Sequence, residues 1–400
     1  MTVPSQPTGP LRGIRVLDLS RFIAGPLCAQ MLGDMGAEVI KVERPGGEDA
    51  RHHAPFYKGE SVYVMVYNRN KSGITLNTRH PDAPAILERL VRWADVLVEN
   101  FRPGTLEQMD LGYARLRELN PRLVVTSISG FGQTGPFAKR ALFDAIAQAT
   151  SGLMSLTGKA DDEPTLTGTY VADYIAGFHG VIGTLLALYE RERTGEGQVV
   201  DVASVDALFS CLGTRAPAYV MLGEVPHRHG SRDLLTAPAN VFEARDGYLY
   251  IHAGTNPLFP RLCTAMGRPE LARDPRFDSV PNRMENVEEI EAIVSAWTRE
   301  RSLDELSEVL AEAGIPFGKV AEVADVVASP QIAAREMLVE VEHPTLGPLT
   351  LPGIPIKLSA TPGSIRKAPP LVGEDNDRVY REIVGFDDEE LARLRAKGTI

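Results

Sequence analysis

Two hydrophobic rhythms run along this chain, one with the period of helices and one with the short apolar runs of buried strands. Ile14–Ser20 (IRVLDLS) is a short run rich in β-formers, and AGPLCAQMLGDMGA after it repeats its apolar positions at helical spacing until Gly36. A second strand, EVIKVE (Glu38–Glu43), follows at once. ADVLVEN (Ala94–Asn100) and RLVVTSISG (Arg122–Gly130) repeat the pattern, each after a helix-like stretch, DAPAILERLVRWA and YARLRELN. Strands alternating with helices imply right-handed crossovers, so the predicted class is α/β with a parallel, doubly wound sheet. Ligands of such sheets sit beyond the carboxyl ends of the strands.

The rhythm changes near Pro226–Ala239, where His, Arg, Gly and Pro accumulate. ANVFEARDGYLYIHAG then alternates about a DG turn, the signature of an antiparallel hairpin. Helical stretches run through Glu312, EMLVEVEHPTLGPLTLPGIPIKLS reads as another hairpin, and DEELARLRAKG closes the chain as a short amphipathic helix. The expected organisation is a large domain over residues 1–222, a smaller α+β domain over 223–325, and a segment 326–400 that returns to the large domain. No internal repeat or coiled-coil heptad is present.

Composition narrows this picture. The 400 residues are 44% hydrophobic and 24% charged, an ordinary globular balance that removes disordered and fibrous classes. Lys and Arg number 42 against 53 Asp and Glu, and the net charge of −11 argues against nucleic acid or an acidic membrane as partner. Cys28, Cys211 and Cys263 lie far apart, which suggests neither a disulfide framework nor a zinc site and fits a cytoplasmic location. MTVPSQPTGP reads as a short flexible lead without signal-peptide order, and no apolar run reaches the length of about 20 that a membrane helix needs.

One acid interrupts the apolar stretch YVADYIAGFHGVIGTLLALY, before the charges return at Glu190: Asp173. It can cap the amino terminus of the helix that follows, where free N–H groups and the dipole favour an acid. It can equally be a nucleophile, since an ionised, sheltered Asp can attack an activated acyl group and hold it as an anhydride. Gly177, Gly180 and Gly183 recur every three residues and permit close approach, which a bulky ligand could use. GxSxG, HExxH, a P-loop and a GxGxxG after the first strand are all missing, so nicotinamide and phosphoryl-transfer readings lose support. GQTGP (Gly132–Pro136) reads as a tight turn, and the close pairs His52/His53 and His227/His229 as surface loops. Arg44 closes EVIKVER, Arg102 closes ADVLVENFR, and Lys71 and Arg79 bracket NKSGITLNTR; several such cations at the ligand-binding edge of one sheet suit a polyphosphorylated ligand such as coenzyme A.

The blocks LRGIRVLDLSRFIAGPLCAQMLGDMGAEVIKVERP, NRNKSGITLN, ADVLVENFRPG, SISGFGQTGP, YVADYIAG and RERTGEGQVVDVA, in this order, resemble the class III coenzyme A transferases (CaiB/BaiF type), the family of formyl-CoA transferase and carnitine CoA-transferase. The resemblance implies a nucleotide-fold large domain completed by the C-terminal segment, and a homodimer of interlocked chains. It places Asp173 on the family's catalytic aspartate. It further implies coenzyme A as co-substrate without metal, passing from an acyl-CoA to a free carboxylic acid through aspartyl anhydride and aspartyl-CoA thioester intermediates. Contacts to coenzyme A carry over to Ile23, Ala24, Arg44, Leu76, Asn77, Thr78, Arg79, Asn100, Phe101, Arg102, Ala141, Leu142, Phe143 and Asp144, and the family's tyrosine near the reacting groups to Tyr63.

The chain departs from formyl-CoA transferases at Ile23 (Gln there), Phe143 (Tyr there) and Gln108 (Arg there), and their glycine-rich flap has no counterpart, so formyl and oxalyl specificity is not implied. The α-methylacyl-CoA racemases of the same family carry His at the position of Phe143, which cannot move a proton. A non-catalytic acyl-CoA binding protein is the third reading, against which Asp173 and its glycines stand. For the acceptor, Arg228 and Arg232 in HRHGSRD suggest a partner for the second carboxylate of a small dicarboxylic acid, with succinyl-CoA as donor. An exposed basic loop, or an aromatic or carnitine-like acid, fits the same residues.

Overall fold

The computed structural model describes residues 9–400, so all of the amino-terminal lead except Gly9 and Pro10 lies outside the described residues. The chain divides into a large unit, comprising the residues up to Leu153, Leu166–Ala218 and Pro330–Ile400, and a small unit, Met154–Thr165 with Tyr219–Ser329. The carboxyl-terminal segment thus belongs to the large unit, and a short piece ahead of Leu166 belongs to the small one.

Six strands build the large unit's sheet: β1 (Arg15–Asp18), β2 (Glu38–Glu43), β3 (Lys71–Thr75), β4 (Val96–Glu99), β5 (Val124–Ser129) and β6 (Val199–Ala203). They lie in the order β3-β2-β1-β4-β5-β6, and every neighbouring pair is parallel. Because the order reverses beside β1, the carboxyl ends of β1 and β4 diverge into a crevice. β3 and β6 are strands that the apolar pattern did not predict. KSGIT has little β-propensity of its own, and pairing with β2 makes it a strand.

Successive strand residues point to opposite faces, and both are buried. Leu17, Ile40, Ile74, Leu97 and Val125 pack on one side, while Val16, Val39, Val96, Val124 and Ile128 pack on the other. The helices that matter for the site are α1 (Ala24–Asp34), α2 (Val62–Asn68), α3 (Ala83–Trp93), α4 (Tyr113–Leu119), α5 (Asp144–Thr150) and α6 (Val171–Thr194). In α3 the buried residues Ala83, Ile86, Leu87, Leu90 and Val91 form the stripe that its spacing predicts.

α6 corrects two expectations. With 24 residues it is, by length and composition, apolar enough to cross a membrane, where the sequence reading found no such run. Its glycines also serve packing, not a ligand: a Cβ at Gly177 would stand 2.9 Å from the Ala24 carbonyl oxygen, one at Gly180 2.7 Å from Ile128 Cδ1, and one at Gly183 2.4 Å from Val200 Cγ1. The stripe lets α6 lie directly on α1 and the sheet. On its other side Phe178, Ile182, Leu185, Leu186 and Tyr189 are exposed.

The carboxyl-terminal segment covers the edge of β3. Gly73 N donates to Asp375 Oδ2 (2.8 Å), Thr75 N to Asn376 Oδ1 (2.8 Å), and Tyr380 Oη to the Thr75 carbonyl (2.7 Å). Tyr380, Leu391 and Leu394 join the core beneath. These side chains satisfy backbone groups that would otherwise form an open sheet edge.

The small unit is α+β. Ala239–Ala244 and Gly247–His252 form the predicted hairpin, joined by Arg245 and Asp246, so the turn falls one residue earlier than the DG reading. Phe317–Lys319 adds a third antiparallel strand. Phe242, Leu249, Phe259, Leu262, Ile290, Val294 and Leu306 make its core with helices Phe259–Ala265, Val287–Arg299 and Leu303–Glu312.

Candidate active site

The loop between β1 and α1 is the floor of the crevice, and a buried ionic cluster holds it. Ser20 N donates to Asp18 Oδ1 (2.9 Å), Lys41 Nζ donates to the Ser20 carbonyl and pairs with Glu48 (3.0 Å), and Phe22 N donates to Glu48 Oε2 (2.9 Å). Lys71 Nζ reaches Asp18 Oδ2 (2.8 Å), the Pro26 carbonyl and Asn68. Asp18, Lys41, Glu48 and Lys71 are all buried. Burial opposes a charge on Asp18, but Lys71 and Lys41 outweigh it and hold the carboxyl below its ordinary value. Lys71 is therefore a structural cation, not the ligand-facing one expected from its place at a strand end. Phe22 sits in the left-handed region (φ 63°), a conformation that costs about 1 kcal/mol or more and that these bonds impose. Gly25 must be glycine, since a Cβ would stand 2.2 Å from Ser20 Cβ.

Above this floor lie two adjoining cavities. The first, about 430 Å³, is lined by Arg44, Leu76, Thr78, Arg79, Phe101 and Gln108 among others. The second, about 410 Å³, is lined by Ile23, Ala24, Asn100, Phe101, Arg102, Ala141, Leu142 and Phe143, and ends at Asp173. Arg21, Phe101 and Thr105 line both, so they form one long cleft over the carboxyl ends of the strands. Arg79 and Arg102 are exposed, and among the described residues neither side chain makes an ion pair or hydrogen bond. Arg44 instead pairs with Asp49 and donates to the Gly47 carbonyl at the rim.

A third cavity, about 530 Å³, adjoins the second at Phe22, Phe143 and Asp173 and is lined also by His53, Tyr63, Gln148, Thr167, Gly168, Thr169 and Tyr170. Asp173 is in the walls of both the second and third cavities.

Asp173 lies in the first turn of α6, as a capping acid would, yet another carboxylate does the capping. Asp144 Oδ1 accepts from Ala172 N (2.7 Å) and its Oδ2 from Gln148 Nε2 (2.6 Å). Asp173 has no hydrogen bond or ion pair among the described residues. Burial first, and the nearby charge of Asp144 second, push its carboxyl up to about 7. An unpaired carboxylate beside a helix amino terminus, in the walls of two adjoining cavities, is available to react. Burial and the charge of Asp173 also push the Tyr63 hydroxyl well above its ordinary value, so it stays protonated and can donate a hydrogen bond.

Residues 11–376 match the model of CoA-transferase family III. The chain belongs to this family. It is a CoA-transferase of class III, with the CaiB/BaiF fold. It is 38% identical to the succinyl-CoA–D-citramalate CoA-transferase of Chloroflexus aurantiacus over 99% of both chains. It is 36% identical to the succinyl-CoA:glutarate CoA-transferase of Mus musculus, covering 98% of this chain and 90% of that one. The acetyl-CoA:oxalate CoA-transferase of Acetobacter aceti is 39% identical over 90% of this chain and 91% of its own. Among solved structures, a CaiB/BaiF family protein from Brucella suis superposes with a TM-score of 0.85 at 36% identity, covering 94% of this chain and 100% of that one.

Set against this class III chain, the residues carried over by motif separate into groups. Twelve of the fourteen expected coenzyme A contacts line the long cleft, among them Ile23, which also packs with Leu27 and Tyr67. Asn77 lines none of the three cavities; its N–H binds the Thr399 carbonyl (2.7 Å). Asp144 turns to the end of α6. In the small unit, Arg232 is bound by Glu291 through both Nε (3.0 Å) and Nη2 (2.7 Å), and Arg228 donates to the carbonyls of Ser155, Lys159, Ala160 and Asp162. Neither guanidinium stands free for the carboxylate of an acceptor acid, which is the correction the geometry makes to that expectation.

Phe22, Gln148 and Thr167–Tyr170 line the third cavity and escaped the sequence reading, and His53, expected only in a surface loop, lines it as well. Only Gln148 left a trace there, four residues after Asp144 on a helix, the spacing at which Gln and Asp side chains meet.

Proposed function

We propose that the protein transfers coenzyme A from an acyl thioester, with succinyl-CoA as the first donor to try, to a small dicarboxylic acid, and that Asp173 is the nucleophile. The observation that carries this reading is the unpaired Asp173 carboxylate at the junction of a long cleft and an adjoining cavity. The cleft suits coenzyme A: Arg79 and Arg102 meet its phosphates and the narrow end leads its thiol to Asp173. The third cavity suits the acid. The relatives named for succinyl-CoA with citramalate or glutarate, and for oxalate, support a dicarboxylate. Among the described residues lining that cavity, His53 is the side chain able to carry positive charge, beside the hydroxyls of Tyr63, Thr167, Thr169 and Tyr170.

In the reaction, a carboxylate oxygen of Asp173 attacks the thioester carbonyl, the C–S bond breaks, and coenzyme A leaves as thiolate from a mixed anhydride. The thiolate attacks the aspartyl carbonyl, which releases the donor acid and leaves an aspartyl thioester. The acceptor carboxylate displaces the thiolate again to form a second anhydride. Attack of the thiolate on the acceptor carbonyl yields the new acyl-CoA and restores Asp173. No proton is consumed, and the thioester is conserved. The racemase reading loses because Phe143, where that chemistry has its histidine, carries no exchangeable proton.

The protein is further proposed to be a cytoplasmic homodimer. The exposed row Phe178, Ile182, Leu185, Leu186 and Tyr189 on α6 supports a second copy as its cover. The deciding experiment is transfer from succinyl-CoA or acetyl-CoA to a panel of free acids, with mass detection of new CoA esters, beside Asp173→Ala. New esters that vanish in the variant support the reading. Intact coenzyme A binding with no ester from any pair overturns it.

A further inference from the structure

We propose that Gln148 is a positioning residue for the acceptor acid, tying the strap Leu166–Tyr170 to the end of α6 so that the wall opposite Asp173 keeps one shape. The inference rests on the reading of the third cavity as the place of the acid.

Gln148 is 1% exposed, and its amide joins α5 to the strap, with Asp144 carrying the link on to α6. Nε2 donates to Asp144 Oδ2 (2.6 Å), while Oε1 accepts from Thr167 N (3.0 Å) and Thr167 Oγ1 (3.3 Å). Asp144 in turn accepts from Ala172 N (2.7 Å). The strap has no regular secondary structure, and Leu166, Gly168, Thr169 and Tyr170 are exposed on it. Among the described residues, every hydrogen bond from the strap to α5 ends on Gln148, including the weak one from Nε2 to the Thr169 carbonyl (3.5 Å). Thr167, Gly168, Thr169 and Tyr170 line the third cavity and are absent from the walls of the cleft. One buried amide therefore fixes the acid-side wall and leaves the coenzyme A side untouched.

This asymmetry makes a positioning role separable from a structural one. A nonpolar side chain at 148 leaves Asp144 its bond from Ala172 and lets Thr167 N turn to water, so the fold survives and the tie is lost. The test measures both Michaelis constants of the full chain with succinyl-CoA as donor and an acid from the panel as acceptor. Gln148→Leu is expected to raise the acceptor KM by about tenfold with the donor KM within about twofold, since a misplaced wall penalises only the reactant it orients. Thr167→Val, at a half-exposed site that tolerates change, loses the hydroxyl bonds to Gln148 Oε1 (3.3 Å) and to the Thr169 carbonyl within the strap (2.9 Å) but keeps the bond from Thr167 N, and should raise the acceptor KM about threefold in the same direction. Amide exchange across 166–170 should quicken in Gln148→Leu whether or not turnover is measured. If Gln148→Leu does not fold, Thr167→Val decides. The proposal is overturned if both constants stay put, if they rise together, or if exchange in the strap is unchanged. A wild-type chain that forms no ester sinks the transferase reading and with it the acid-side role, an outcome distinct from an active wild type whose variants show no split.

Discussion

The cleft over the strand ends and the cavity beyond Asp173 share one carboxylate but are built by different means. The cleft rests on Asp18, Lys41, Glu48 and Lys71, buried charges that grip the backbone of the β1–α1 loop. The cavity beyond is walled by aromatic rings, hydroxyls and a loop held by one glutamine. A reactant that never changes can be met by a rigid floor of backbone and ion pairs. A reactant that differs among relatives named for citramalate, glutarate and oxalate calls for a wall that substitution can reshape without unsettling the sheet.

The strongest way to break the contrast is to remove the group both sides share. Asp173→Asn should lower kcat by about a thousandfold or more, with no acyl-enzyme seen by mass spectrometry. It should also stabilise the fold. Because burial raises the folded carboxyl to about 7 while the unfolded one keeps its ordinary value of 3.8, ionising it works against the native state as pH rises between them. The variant should gain about 1–2 kcal/mol at pH 8, a gain that fades as pH falls through 7 and is absent below 3.8, read from urea midpoints. In the wild type the same ionisation places the acid limb of kcat/KM near 7. Burial pushes Glu99, under the cleft, up to about 7 as well, and Glu99→Gln should leave that limb in place if Asp173 owns it.

Next in size is the floor. Lys41→Met leaves Glu48 buried without its cation and should cost about 3–5 kcal/mol in denaturant titrations, a loss that no substitution in the acid-side wall should match. On that other side, His53→Ala should raise the KM of a dicarboxylate about tenfold relative to a monocarboxylate of equal length, with donor KM unchanged. The smallest effect belongs to the small unit: Arg232→Ala should leave acceptor KM unaltered, because Glu291 already holds that guanidinium. A rise would restore the basic loop as part of the acid site.

How legible this was in the sequence differs between the two regions for the same physical reason. Strands β1, β2, β4 and β5 are buried on both faces and read as apolar runs, so the crevice at their ends could be placed, and the motif blocks around it carried most of the cleft. β3 could not be read because pairing and the carboxyl-terminal segment make it a strand, not its own residues. The role of the glycine row was misjudged, since spacing says that something approaches closely but not whether it is a ligand or Ile128 and Val200. The wall of the third cavity was nearly invisible: Phe22, His53 and Thr167 belong to loops without period, Gln148 is one polar residue on a short helix, and the tie between Gln148 and Thr167 acquires meaning only when Asp144 is seen to cap α6.

The cover on β3 has a consequence for synthesis. Gly73 and Asp375 are 302 residues apart, and a chain grows from its amino end. While a ribosome makes everything between them, the nascent large unit carries a sheet with one side bare. Until residues 367–399 emerge, that bare side invites pairing with a neighbouring chain, which is the interval in which a chaperone would matter most.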